Sequence, residues 1–308
     1  MPSSKEIRRR IKSVKNIAQI TKAMELVAAA KMRKAQSQAI SSRPYAQLSG
    51  ALLKKLAAKS DLLSHPLIKR VMPEGKSMLA EKVLIVLITS DRGLAGALNT
   101  NVINKALNLI SDVARPFMGE KNADKSASYN SELFDIITVG KKGANAARRN
   151  KLSIIAAFDG KDKGISILDA KPIAEIVIAD YLAFKYEKVF IVYTDFISTL
   201  VQKPNILQIL PFSSNGSLIT DHGSDIVFEP DPDEVLERLI TSTIEFAVYQ
   251  CMVEAVASEH SARMLAMRNA NDAAGELIDD LTLSGNLARQ AGITRELSEI
   301  SAAKLAME

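Results

Sequence analysis

The chain has 308 residues with a net charge of +5; 47% are hydrophobic, 24% are charged, one is cysteine and none is tryptophan. That is the balance of a globular chain too long for one small domain and long enough for a real core. A lone cysteine, Cys251, excludes an internal disulfide, and a basic run without interleaved aromatics argues against a nucleic-acid surface.

The first element is the stretch 5–39, which lacks Gly and Pro and is rich in Ala, Lys, Arg, Gln and Met. Those are good helix formers. Ile7, Ile11, Val14, Ala18 and Thr21 recur at alternating spacings of four and three, and Ala28, Met32, Ala35 and Ala39 resume the pattern. This is a narrow heptad-like seam that needs a partner helix. Glu25 falls on it, so the neighbouring line Ile17, Ile20, Met24 and Val27 is expected to take over there. Ten Lys or Arg against Glu6 and Glu25 occupy 5–34. They read either as a solvated face or as a surface for an acidic partner. The stretch has no apolar signal region. It resembles an Arg-rich presequence, but a seam starting at Ile7 leaves no room for a removable segment.

Proline placement suggests the architecture. Pro2 apart, the prolines lie between Pro44 and Pro232, and 76 residues follow without one. Proline inside a helix costs about 3 kcal/mol, so two long helices are expected to flank a globular insert. The first is expected to pass Pro44 and end near Lys59, before loops at His65-Pro66 and Pro73 to Gly75.

The insert alternates strand and helix patterns. The run KVLIVLIT at 82–89 reads as a buried parallel strand. A turn and a helix at 97–111 follow, then a polar loop at 119–130. Strands are expected at 134–139, 152–157, 188–194 and 205–210, with helices at 142–150 and 172–186. Such alternation predicts an α/β layer with a partly parallel sheet. Asn215-Gly216 and His222-Gly223 mark loops. The longest apolar run, 83–88, is too short to span a membrane.

SDRGLAGALN, from Ser90 to Asn99, follows a strand and precedes a helix, so it might cradle a phosphate. It lacks both the G-x-G-x-x-G spacing and a Gly-Lys-Ser/Thr. Tight-turn glycines are the simpler reading, with Asp91 and Arg92 fixing the loop or making contacts.

In the last stretch, 233–308, acidic residues at 231–234 suit the first turn of a helix. Leu239, Phe246, Val253, Ala257, Met264, Met267, Ala274, Ile278, Leu281 and Ala288 hold one heptad phase, shared with Thr243, Gln250, His260, Asn271 and Gly285. Polar seam positions fix register, so His260 reads as a register or solvated position, and Cys251 as a small buried residue. By the rise per residue this helix spans on the order of 110 Å, and the first spans roughly 85 Å. Paired antiparallel, the second overshoots by about 15 to 20 residues. That tail, from Ala288 on, carries Ile293, Leu297, Ile300 and Leu305, which need another protein around them.

The chain resembles the gamma subunits of F-type ATP synthases over its whole length. The resemblance rests on KEIRRRIKSVKNIAQITKAMELVAAAKMRKAQ, SDRGLAGALN, RMLAMRNANDAAGELIDDLTL and ARQAGITRELSEI. It departs at Ala95 and Ala97, where the family usually has Cys and Gly, at Gly285, where it has Tyr, and at Ala303 and Lys304, where it has Gly and Ala. The resemblance implies a bacterial rotor shaft that turns inside a ring of three alpha and three beta subunits. It implies contacts with the epsilon subunit and the c ring, and coupling of proton flow to ATP synthesis or hydrolysis. It also implies a place on the cytoplasmic face of the inner membrane. By motif, Met24 with Lys22 and Glu25 lies near the beta lever, and Arg289, Gln290 and Thr294 form the catch contacts with ring loops.

The expected fold is therefore α/β: a long antiparallel two-helix coiled coil with a Rossmann-like α/β domain inserted. The expected domains are 1–60, 78–212 and 231–308. No catalytic residue, metal or cofactor is expected, because the chain has no Gly-Lys-Ser/Thr loop and no clustered carboxylate pair on a loop. Two other readings remain open at this point. One is an unrelated coiled-coil or chaperone-like module. The other is a nucleotide-binding α/β enzyme with helical arms.

Overall fold

The structure is a computed structural model that describes residues 4–57, 67, 82–114, 133–161, 164–211 and 232–307. The loops expected at His65-Pro66, Pro73 to Gly75, 119–130, Asn215-Gly216 and His222-Gly223 lie outside the described residues, as does the expected helix end near Lys59. The elements run α1 (Ser4–Ala57), β1 (Val83–Ile88), α2 (Leu98–Ala114), β2 (Phe134–Val139) and α3 (Lys141–Arg149). They continue with β3 (Ser153–Phe158), α4 (Ile167–Leu182), β4 (Lys188–Phe196), β5 (Gln202–Leu210) and α5 (Pro232–Met307). The chain divides into two compact units, one of residues 1–29 with 263–308, the other of residues 30–262.

The larger unit holds a five-stranded sheet in the order β3-β2-β1-β4-β5. β1 pairs in parallel with β2 and β4, β2 in parallel with β3, and β5 runs antiparallel at the edge. Central β1 and β2 are buried at every position, which is what a parallel strand covered on both faces requires. On one face Val102, Ala106 and Ile110 of α2 and Ala147 of α3 pack against Val83, Ile85 and Ile136. On the other, Ile173 and Val177 of α4 and Ile240, Ile244 and Val248 of α5 pack against Leu84, Val86 and Ile191. The strand run at 82–89 and the strand at 134–139 thus fold as expected.

Two elements start well ahead of their expected first residue. α4 starts at Ile167 rather than at Pro172. Ser166 caps it through Leu168 N, and Asp169 returns a hydrogen bond from Ser166 N at 3.0 Å. That reciprocal capping box satisfies amides a turn ahead of the proline. β5 starts at Gln202 rather than Asn205, and takes in Pro204, because an edge strand has one side free of the hydrogen-bond ladder.

α1 passes Pro44 and continues to Ala57. Within the larger unit α1 and α5 run antiparallel: Gln38 meets Tyr249, and Tyr45 meets Ser242 and Phe246. From Val248 to Ala262 every α5 residue is buried except Gln250, Val256 and Ala262, which are half-buried. A single heptad stripe does not account for that. A helix apolar on most sides is a helix enclosed on most sides. α5 carries one 18-residue stretch apolar enough by length and composition to cross a membrane, and 56% of it is buried inside the protein.

In the smaller unit the seam is as spaced in sequence. Ile7, Thr21 and Ala28 are buried, with Ile11, Val14 and Ala18 half-buried between them. On α5 Met267 and Ala274 are buried and Asn271, Ile278, Leu281, Gly285 and Ala288 half-buried, again at spacings of three and four. The expected handover at Glu25 does not occur. Ile17, Ile20 and Val27 are 51%, 59% and 56% exposed, whereas the Glu25 side chain is only 15% exposed. Glu25 keeps its place by burying its stem and directing its carboxylate to Lys22 Nζ at 3.0 Å.

Candidate functional site

The residues singled out on the two helices fall into two groups. Lys22, Met24 and Glu25 share one turn of α1. The Lys22 ammonium donates to Glu25, and Met24 is half-buried beside the seam. The second group lies on α5, past the level where Ile7 meets Gly285. Arg289 and Gln290 are exposed, and the Thr294 hydroxyl donates to the Gln290 carbonyl at 3.0 Å. Counted from the Ile7–Gly285 contact, the groups are about 30 Å apart along the pair. They cannot form one pocket; each is a separate patch.

Apolar surface accompanies both patches. Ile17, Ile20, Leu26 and Val27 are exposed around Met24. Every described side chain after Ala288 is exposed, including Ile293, Leu297 and Ile300 at 51%, 60% and 67%. The expected overshoot is therefore present among the described side chains; Leu305 lies outside them. Ile293, Leu297 and Ile300 recur at four and three, a stripe of the kind a groove receives.

The loop after β1 satisfies its own polar groups. Ser90 N donates to Asn99 Oδ1 at 3.1 Å, and Ser90 Oγ donates to the Arg92 carbonyl at 2.6 Å. Asp91 Oδ1 accepts from Lys141 N at 2.9 Å and from Gly160 N at 3.0 Å. Asp91 thus ties three loops together, which is the loop-fixing role expected of it. Gly143 N donates to Thr89 Oγ1 at 2.8 Å. Gly140, at φ 95, leaves no room for a side chain: a Cβ there would sit 2.2 Å from the Thr89 carbonyl oxygen.

In open α/β sheets ligands bind beyond the carboxyl ends of the strands, where the winding reverses. Here that place, between β1 and β4, is filled by Met252, Ala255 and Val256 of α5. The cavity left holds about 20 Å³, room for one water-sized group and far too little for a nucleotide. Among the described residues no group of three or more His, Cys, Asp or Glu is placed to hold a metal.

Sequence reasoning missed a partly buried polar cluster where α1, α5 and β4 meet, with Arg43 exposed at its edge. Ser42 Oγ donates to Gln250 Oε1, Gln250 Nε2 donates to Glu254 Oε1 at 2.7 Å, and Arg43 reaches the same carboxylate at 3.5 Å and the Phe196 carbonyl at 3.4 Å. Burial pushes the Glu254 carboxyl above its ordinary range. The Gln250 hydrogen bond opposes that, and the nearby charge of Asp195 reinforces it. Burial likewise holds the Cys251 thiol well up, so it is an inert small residue. Only Gln250, on the heptad phase, was visible beforehand; Ser42, Arg43 and Glu254 meet through pairing across more than 200 positions. His260 is 1% exposed. The solvated reading is wrong, because α5 is enclosed at that level.

Known proteins resemble the chain along its whole length. A family model described as ATP synthase matches residues 3–307. The chain is 42% identical over 308 residues to the ATP synthase gamma chain of Pelotomaculum thermopropionicum, covering 100% of both chains. It is 38% identical over 307 residues to the ATP synthase gamma chain of Roseiflexus castenholzii, covering 100% of this chain and 99% of that one. Among solved structures, a chain of the Euglena gracilis mitochondrial ATP synthase assembly with OSCP, F1 and c-ring superposes with a TM-score of 0.62. That match has 20% identity over 99% of this chain and 94% of that one. A chain from the Tetrahymena thermophila mitochondrial ATP synthase central stalk and c-ring gives 0.57 at 24% identity, over 82% of this chain and 99% of that one.

Proposed function

The chain belongs to the ATP synthase gamma-chain family, and from that membership we propose that it is the rotor of a bacterial F-type ATP synthase. It turns inside a ring of three alpha and three beta subunits and couples proton flow through the c ring to ATP synthesis or hydrolysis at beta sites. The complex lies on the cytoplasmic face of the inner membrane. In this reading 1–60 and 231–308 are the shaft. The 78–212 domain lies outside the ring, against the epsilon subunit and the c ring.

Met24, with Lys22 and Glu25, meets the beta lever, and Arg289, Gln290 and Thr294 meet the catch loops. The observation that carries the reading is the bare tail. Ile293, Leu297 and Ile300 form an apolar stripe that no other described part of the chain covers. An apolar stripe of this kind needs a sheath, and small apolar and charged positions make contacts that break and remake at low cost.

The chain itself does no chemistry in this reading. The turn resembling a phosphate loop spends its polar groups on itself and on the neighbouring loops, and α5 fills the usual ligand position. The experiment is co-purification of the chain with alpha and beta subunits under conditions where these form a ring, with solvent protection of Ile293 to Ile300 read before and after. Failure to join the ring would sink the proposal. Saturable nucleotide binding by the isolated chain would favour the enzyme reading instead.

A further inference from the structure

α3 turns a single stripe of cations away from the sheet. Its buried positions are Gly143, Ala144, Ala146 and Ala147, and its exposed ones are Lys141, Lys142, Asn145, Arg148 and Arg149. Spacings of three and four put those exposed residues on one face. Lys151, also exposed, follows just past the helix end. The eleven residues 141–151 hold five Lys or Arg and no Asp or Glu, a charge equal to the net charge of the whole chain.

We propose that this face of α3 is a docking surface for an acidic segment of another subunit of the complex. It rests on the rotor reading, which supplies the neighbouring subunits. Other lysines of the larger unit are neutralised in place: Lys82, Lys161 and Lys185 stand 2.7, 2.6 and 2.5 Å from Asp135, Asp169 and Asp180. Lys142, Arg148, Arg149 and Lys151 have no ion pair among the described residues. Lys141 has only Asp159, at 3.9 Å, with both side chains largely exposed. A pair so loose and so wet contributes next to nothing.

The helix itself does not call for the lysines. Arg148 and Arg149 occupy its last turn, where positive charge suits the helix dipole, but Lys141 and Lys142 occupy the first turn, where positive charge opposes it. The platform is also stiff. A Cβ on Gly143 would sit 2.8 Å from Thr89 Oγ1, and Asp91 holds the first turn through Lys141 N. A face already held in place loses little freedom on binding.

The two ends of the stripe lie about 10 Å apart along the helix, so it fits a segment whose carboxylates are about two helical turns apart. The stripe carries no aromatic or large apolar side chain, which a bilayer surface or a single-stranded nucleic acid would use. A second copy of this chain would set cation against cation. An acidic protein segment is the occupant that this chemistry fits.

The test places a benzophenone photo-crosslinker at Asn145, in the centre of the stripe, in the complex assembled with alpha, beta, epsilon and c subunits. The expected product joins the chain to another subunit at a peptide rich in Asp or Glu. Its yield should fall about tenfold when Arg148→Gln and Arg149→Gln are combined, the loss of two exposed ion pairs. Lys171→Gln, on α4 across the sheet, should leave the yield unchanged. All four positions are exposed, and co-purification with alpha and beta confirms that each variant is folded. A parent chain that fails to join alpha and beta overturns the rotor reading and the docking surface together. A complex that forms normally overturns the docking surface alone if Asn145 gives no protein crosslink, a crosslink to lipid or to a peptide without acids, or a yield that survives the arginine substitutions.

Discussion

Ile7 packs on Gly285: its Cγ2 lies 3.3 Å from the point where a side chain on Gly285 would begin. A glycine inside a helix costs about 1 kcal/mol against alanine. The contact is tight by a few tenths of an ångström, and Ile7 sits near the start of its helix, where it can give. Gly285→Ala should therefore raise the stability of the chain by about 0.5–1 kcal/mol. Urea unfolding followed by helical circular dichroism reads it, and a fall in the midpoint would mean Ile7 cannot yield.

Glu254 should set a slope of stability with pH. Its folded carboxyl is raised above its ordinary 4.5, so its contribution is fully present below that value. As pH rises past 4.5 the unfolded chain ionises first, and stability is lost until the folded group ionises too. Glu254→Gln should match the parent in acid and become progressively the more stable of the two towards neutral pH. Parallel urea midpoints across that range check it; a gap that does not grow with pH would contradict it.

At Met24 an acid should harm coupling more than assembly. The residue is half-buried next to Glu25, and a substitution so placed costs the fold on the order of 1 kcal/mol. Met24→Glu is expected to assemble normally and to pump fewer protons per ATP hydrolysed in membrane vesicles. Loss of the complex with normal coupling in the remainder would show that Met24 matters for assembly instead.

Removing residues 295–308 should leave the isolated chain within about 0.5 kcal/mol of its full stability, because every described side chain there is exposed. The assembled complex should retain part of its ATPase activity and lose torque or thermal stability. A truncated complex equal to the parent in all of these would make the tail dispensable.

The seams were legible because a spacing of three and four survives folding unchanged; Ile7, Ile11, Val14, Ala18 and Thr21 needed no other information. Glu25 misled because a carboxylate on an apolar line reads as a break, and only its approach to Lys22 reveals how the line is kept. α4 was placed late because Pro172 is a louder signal than Ser166 and Asp169, whose capping bonds are visible only in space. The polar cluster around Glu254 was not legible at all, since it joins residues of three elements. His260 was legible as a seam residue, but its burial was not.

α5 passes from an enclosed stretch, through a one-sided seam, to a tail whose described side chains are all exposed. Starting a helix is the expensive step, with a nucleation factor of about 0.001, while each added residue is close to neutral. The tail never has to start one. Its first turn is handed to it by the packed residues before Ala288, and residues 289–307 need only propagate it. The same residues cut free as a peptide would face the nucleation step alone, with Gly292 among them. The enclosed stretch is thus the seed from which an otherwise unsupported apolar stripe is held ready in helical form.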